Sequence, residues 1–163
     1  MRYASIILLT ILLMGCYGRE PDKTGKEGQP IPEFKLMHSD TVTHFWSNEI
    51  KDDNPTVFVY FGTHCPYSRA EIQEIVDNID DLSDIKFYLI TPESLKDVAR
   101  YTEAYHLFGM DNLMVGQDCE SFFEKHFEAN VVPYNFIYGK DHRLKAVFPG
   151  QIGIDEIKKY ARD

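Results

Sequence analysis

The chain has 163 residues, enough for one domain, with 44% hydrophobic residues to build a core and 26% charged residues to solvate a surface. Its net charge of −9 argues against a nucleic-acid binder, which needs a basic stripe to meet phosphates. No acidic run stands out, so the charge reads as solvated surface.

The chain opens with a short positive region, Met1-Arg2-Tyr3, and an apolar run from Ala4 to Met14. That run is shorter than the roughly 20 residues a membrane-spanning helix requires, and it reads as a cleavable export signal over residues 1–15. It ends in Leu13-Met14-Gly15-Cys16, which resembles the lipobox of bacterial lipoproteins. The resemblance implies that Cys16 is lipidated and becomes the mature N-terminus, so that the protein sits on a membrane without crossing it. The location expected is the cell envelope, on its periplasmic or surface side. Residues 16–29 are polar and lack an apolar period, and are expected to form a flexible tether. The domain proper is expected over residues 30–163.

Within the domain, Phe34–Met37 is a strand candidate, and Val42–Ile50 is an ambiguous stretch read as a second short strand and a turn. The unbroken apolar run Thr56–Phe61 predicts a central strand buried on both faces. Pro66–Ile79 predicts a helix with Ile72, Ile75, Val76 and Ile79 inward. A strand follows at Lys86–Ile90, then a helix at Glu93–His106 with Leu95, Val98, Ala99, Thr102 and Tyr105 inward. Asn112–Gly116 predicts a strand, and Cys119–Glu128 a helix with a Phe122, Phe123 and Phe127 stripe, read as core. Tyr134–Tyr138 and Leu144–Phe148 predict strands joined by the turn Gly139–His142, and Ile154–Ala161 predicts a closing helix. Strand and helix alternate, which predicts an α/β three-layer sandwich with a mixed central sheet.

The segment Phe61-Gly62-Thr63-His64-Cys65-Pro66-Tyr67-Ser68 carries the chemistry. A central strand ends, a cysteine follows, and Pro66 opens a helix, where proline is well placed. Cys65 therefore lies at a helix N-terminus on the carboxyl edge of the sheet, where ligand sites gather. The free N–H groups and the helix dipole there favour a thiolate, and a protonated His64 adds to this unless it is an incidental exposed residue. His38, His44, His106, His126 and His142 are scattered without metal-ligand spacing. Neither a metal nor a cofactor is expected.

This segment resembles the active site of thioredoxin-like thiol–disulfide oxidoreductases of the TlpA/ResA type, whose motif is Trp-Cys-x-x-Cys. The resemblance runs from Gly28-Gln29-Pro30-Ile31-Pro32-Glu33-Phe34-Lys35-Leu36 to the C-terminus. It implies a thioredoxin-like fold, a cis peptide at Val132-Pro133 against which an extended substrate can pair, and a buried proton-handling carboxyl at Glu71. Read without the resemblance, Pro133 is an ordinary turn proline and Glu71 a solvent-facing helix residue. The motif is degenerate: Ser68 replaces the second cysteine and His64 the tryptophan. Cys65 can attack a disulfide but has no motif partner to release the mixed disulfide, while Ser68 can hydrogen-bond its thiolate.

Cys119 either resolves that intermediate or is a buried structural cysteine. If its strand and that of Cys65 are next-but-one neighbours, they stand about 10 Å apart, beyond the ~7 Å Cα limit of a disulfide. The function expected is thiol–disulfide exchange by Cys65 on an exported client bearing thiols or disulfides, with an external thiol or reductase as electron donor. A redox-inactive module that binds a partner at the same face is the alternative. A thiol peroxidase fits less well, because the Pro-x-x-x-Thr-x-x-Cys pattern is absent: residue 58 is Phe, and Thr63 stands too close to Cys65.

Overall fold

Short β-branched and aromatic runs give seven strands, and four apolar helical stripes give four α-helices, among the residues that the computed structural model describes, 19–38 and 43–163. The expected signal segment and Cys16 lie outside them. The strands are β1 (Lys35–Met37), β2 (His44–Trp46), β3 (Thr56–Tyr60), β4 (Lys86–Thr91), β5 (Leu113–Gln117), β6 (Tyr134–Tyr138) and β7 (Leu144–Pro149). The helices are α1 (Pro66–Asp77), α2 (Leu95–Ala104), α3 (Phe122–Phe127) and α4 (Ile154–Ala161). The spatial order is β2-β1-β5-β4-β3-β6-β7. The trio β3, β4 and β5 is parallel, while β1 and β6 run antiparallel to their neighbours β5 and β3. The sheet is therefore mixed, as expected.

β3 is buried along its whole length. Alternate side chains serve opposite faces, as the two-residue strand period requires. Val57, Val59 and Phe61 join Ile72 and Ile75 of α1, Tyr101 of α2, and Ile157 and Ala161 of α4 in one core. Phe58 and Tyr60 join Phe34, Phe123, Phe127, Phe136 and Tyr138 in a second core on the other face, under α3. Phe123 is fully buried there, its ring 5.1–5.9 Å from those of Phe34, Phe58, Phe127, Phe136 and Tyr60.

Three elements differ from the sequence expectation. α3 begins at Phe122, because the buried Asp118 carboxylate accepts from the Phe122 and Phe123 N–H groups at 2.9 Å each and Ser121 takes a left-handed conformation. Cys119 consequently lies before the helix and is exposed, which corrects its reading as a buried structural cysteine. In α2 the inward residues are Val98, Tyr101 and Thr102; Tyr101 is buried, while Leu95, Ala99 and Tyr105 are half-buried.

Residues 19–29, expected to hang free as a tether, run along β7 instead. Asp22 N–H donates to Val147 O at 2.8 Å, Gly28 N–H to Leu144 O at 2.8 Å, and Leu144 N–H to Gln29 O at 2.9 Å. The open polar groups of an outer strand supply the pairing. Gly25 and Gly28, with φ of 74° and 77°, supply the turns.

Candidate active site

β3 delivers the chain to the carboxyl edge of the sheet, where Phe61 N–H still donates to Ile90 O at 2.8 Å. Gly62 then makes a tight turn, closed by Cys65 N–H donating to Gly62 O at 3.1 Å. Cys65 is the N-cap of α1 with Pro66 in the first turn, the placement expected from the sequence. A methyl group on Gly62 would meet Val132 Cγ2 at 3.2 Å and Cys65 Cβ at 3.5 Å. Glycine thus lets the cysteine turn and the Val132 loop approach each other.

The Val132–Pro133 peptide is cis, which selects the cis reading over the turn proline. Val132 O lies 3.5 Å from Cys65 Sγ. Burial pushes the Cys65 thiol up, but hydrogen bonds from the Ser68 N–H and hydroxyl and from the Tyr67 N–H outweigh it and hold the thiol below its ordinary range. Ser68 is fully buried, and its Oγ also accepts from Gly62 N–H at 3.3 Å. The serine thus occupies the position of a second motif cysteine and bonds to the turn and the thiol.

Glu71, one turn beyond Ser68, is 1% exposed, which settles its reading as a buried carboxyl. Oε1 accepts from Asn135 Nδ2 and from Ile152 N–H at 3.0 Å each, and Oε2 has no partner among the described residues. Burial pushes the carboxyl up to about 8, against the hydrogen bonds from Ile152 and Asn135. Glu71 is therefore largely protonated at neutral pH, and its Oε2 is a donor rather than an acceptor.

His64 is exposed, with Nδ1 3.0 Å from Thr63 Oγ1 and 3.6 Å from Glu93 Oε2. Two site residues were missed in the sequence. Glu93, after β4, accepts from Thr63 N–H at 3.0 Å and from the Thr63 hydroxyl, fixing the loop before Cys65. Asn135, a lone polar residue in the apolar β6, was the readable signal for the partner of Glu71.

A groove of about 610 Å³ runs beside the cysteine, lined by Tyr67, Val132, Pro133, Gly150, Ile152 and Arg19. Tyr67 and Val131 are exposed apolar residues flanking the site. Cys119 is brought to the same sheet edge but not to the site. Its strand, β5, is separated from β3 by β4, a separation of about 10 Å at the usual strand spacing. Both cysteines are free. Among the described residues there is no cluster of His, Cys, Asp and Glu able to hold a metal ion.

The chain belongs to the AhpC/TSA family, whose profile matches residues 28–147. Its fold is thioredoxin-like. It superposes on peroxidoxin BcpB of Mycobacterium tuberculosis with a TM-score of 0.67 at 14% identity, covering 82% of this chain and 92% of that one. A secreted Mycobacterium tuberculosis disulfide oxidoreductase homologous to Escherichia coli DsbE gives 0.64 at 14%, covering 78% and 92%. StoA of Bacillus subtilis gives 0.62 at 12%, covering 82% and 98%. No curated protein matches the sequence.

Proposed function

We propose that this AhpC/TSA-family chain performs thiol–disulfide exchange through Cys65 alone, on exported client proteins, while Cys16 anchors it by lipid to a membrane of the cell envelope. The observation that carries the reading is the Cys65 thiol itself: lowered by Ser68 and Tyr67 and set 3.5 Å from the carbonyl of a cis X–Pro peptide. A thiolate is the attacking species in exchange. The resemblance to TlpA/ResA-type oxidoreductases and the likeness to the secreted, DsbE-homologous disulfide oxidoreductase support the same chemistry.

Cys65 attacks one sulfur of a client disulfide, forming a mixed disulfide and releasing the other sulfur as a thiolate. The adjoining groove and the Val132 backbone hold the client segment in extended form. Ser68 has no sulfur with which to release it, and Cys119 stands too far away, so an external thiol completes the cycle. The Glu71 carboxyl, buried and largely neutral on the helix that Cys65 caps, is the candidate proton donor to the departing thiolate.

The test is reduction of insulin disulfides by the full chain in the presence of a small thiol, wild type against Cys65→Ala. Acceleration that vanishes in the variant supports the reading; equal rates sink it. A second reading, a binding module without redox turnover, is favoured by the exposed Tyr67 and Val131 beside the groove. It predicts an ordinary, slowly alkylated Cys65 together with peptide binding that survives Cys65→Ala.

A further inference from the structure

The run that precedes β1 is fixed to the domain along its length. Followed back from Gly28 to Arg19 it climbs β7 in the antiparallel sense. Gly28 N–H meets Leu144 O and Asp22 N–H meets Val147 O, both at 2.8 Å. The Arg19 guanidinium then donates to Pro149 O and, at 3.5 Å, to Gln151 O. The turn inside the run is held by its own side chains: Thr24 N–H donates to Glu27 Oε1 at 2.6 Å, and Lys26 N–H to Thr24 Oγ1 at 3.2 Å.

Strand register tells which end of the sheet Arg19 reaches. Tyr60, the last residue of β3, stands opposite Tyr134, and Tyr134 stands opposite Pro149. Pro149 therefore lies at the edge where β3 releases the chain toward Cys65. Contacts close up there: Val132 O is 3.5 Å from Cys65 Sγ, Gly150 N–H donates to Pro133 O at 2.7 Å, and a methyl group on Gly150 would meet Arg19 Nη1 at 3.4 Å. Arg19 and Val132 line the same groove. Three strand spacings, about 14 Å, separate the run on β7 from β3. Cys16 precedes Arg19 by three residues, which span at most about 11 Å in any conformation. Cys65 is thus held within about 25 Å of Cys16. A free tether over residues 16–29 would reach about 45 Å before the domain began.

Resting on the exchange and lipid-anchor readings above, we propose that the docked N-terminal run holds the Cys65 groove low over the membrane. Its client is a disulfide in an extended segment of a second membrane-anchored protein, lying within about 25 Å of the lipid surface. A disulfide held at that height on the same surface meets Cys65 at a high effective concentration, and one held further out does not. The client segment lies along the groove between Tyr67 and the Val132 backbone. The Cys65 thiolate bonds to one client sulfur, the client S–S bond breaks, and the other sulfur leaves as a thiolate that stays on the client.

The test uses the full lipidated chain carrying Cys119→Ser, in vesicles of phosphatidylethanolamine and phosphatidylglycerol. The probe is a cysteine peptide bearing thionitrobenzoate as a mixed disulfide, fixed to a lipid through a stiff polyproline spacer of about 10 Å or about 60 Å. Attack of Cys65 on the peptide sulfur forms the protein–peptide disulfide and expels coloured thionitrobenzoate. The short spacer is expected to react about tenfold faster than the long one. A flexible Gly-Ser insertion of about 20 residues between Gly18 and Arg19 keeps the contacts of the domain and lengthens only its link to the lipid. It should bring the two rates together, and should lower energy transfer from a dye on Cys65 to acceptor lipids. Equal rates for both spacers on the native chain, or a short-spacer advantage that survives the insertion, overturns the inference while release from the free peptide leaves the exchange reading standing. A free peptide that releases no thionitrobenzoate removes the exchange reading, and a chain recovered without acyl groups on Cys16 removes the anchor; the inference falls with either.

Discussion

Glu71→Gln isolates the proton on the buried carboxyl. In the folded protein burial lifts this group from 4.5 to about 8. The folded pKa lies above the unfolded one, so the unfolded chain gives up its proton first as pH rises. The contribution is fully present below pH 4.5 and is lost as pH climbs through about 8. A gap of this size at ~1.36 kcal/mol per unit corresponds to stability on the order of 5 kcal/mol, lost with rising pH. Glutamine keeps an oxygen where Oε1 accepts from Ile152 N–H and Asn135 Nδ2, and it has no proton to lose. Urea unfolding of both proteins in steps from about pH 5 to pH 9 is the assay. Subtracting the variant cancels the other titrating groups. The wild-type stability should fall relative to Gln by several kcal/mol across that window. A flat difference, or one rising with pH, refutes the reasoning, since Glu71 would then be ionised in the folded state.

Ser68→Ala removes the hydroxyl that bonds both the Gly62 N–H and the Cys65 sulfur; the Cys65 alkylation midpoint, followed against pH with peptide mapping, should move upward. An unchanged midpoint would leave the backbone N–H groups as the whole cause. Phe123→Ala opens a cavity in the aromatic face of the sheet, where the ring is fully buried, and should lower unfolding free energy by about 3–5 kcal/mol in urea titrations. A loss below ~1 kcal/mol would mean that the neighbouring rings collapse into the space.

The sheet and the cysteine turn were legible because their signals are local. Thr56–Tyr60 is a continuous apolar run, and Pro66 marks a helix start directly after Cys65. The features that escaped depend on partners far along the chain. Glu93 reaches back to Thr63, and Asn135 reaches Glu71, through contacts made only after β4 and β6 lie beside β3. Tyr101 shares the inward stripe of Val98 and Thr102, but its hydroxyl conceals its burial in a polarity-based reading. The start of α3 was misplaced because the cap is the side chain of Asp118, which satisfies two N–H groups several residues ahead. The run 19–29 lacks any apolar period, and nothing in its composition reveals that its backbone finds an unpaired strand.

That strand pairing has a consequence for self-association. A sheet margin with open amides is a template onto which another chain can add a strand. Residues 22–31 occupy that margin on β7, with Ile31 N–H donating to His142 O at the far end of the run. The opposite margin, β2, is only three residues long and carries the exposed His44 and Trp46. Both flanks of the sheet thus resist polymerisation by strand addition. At high local concentration the chain can then keep its cysteine face free without stacking into fibres.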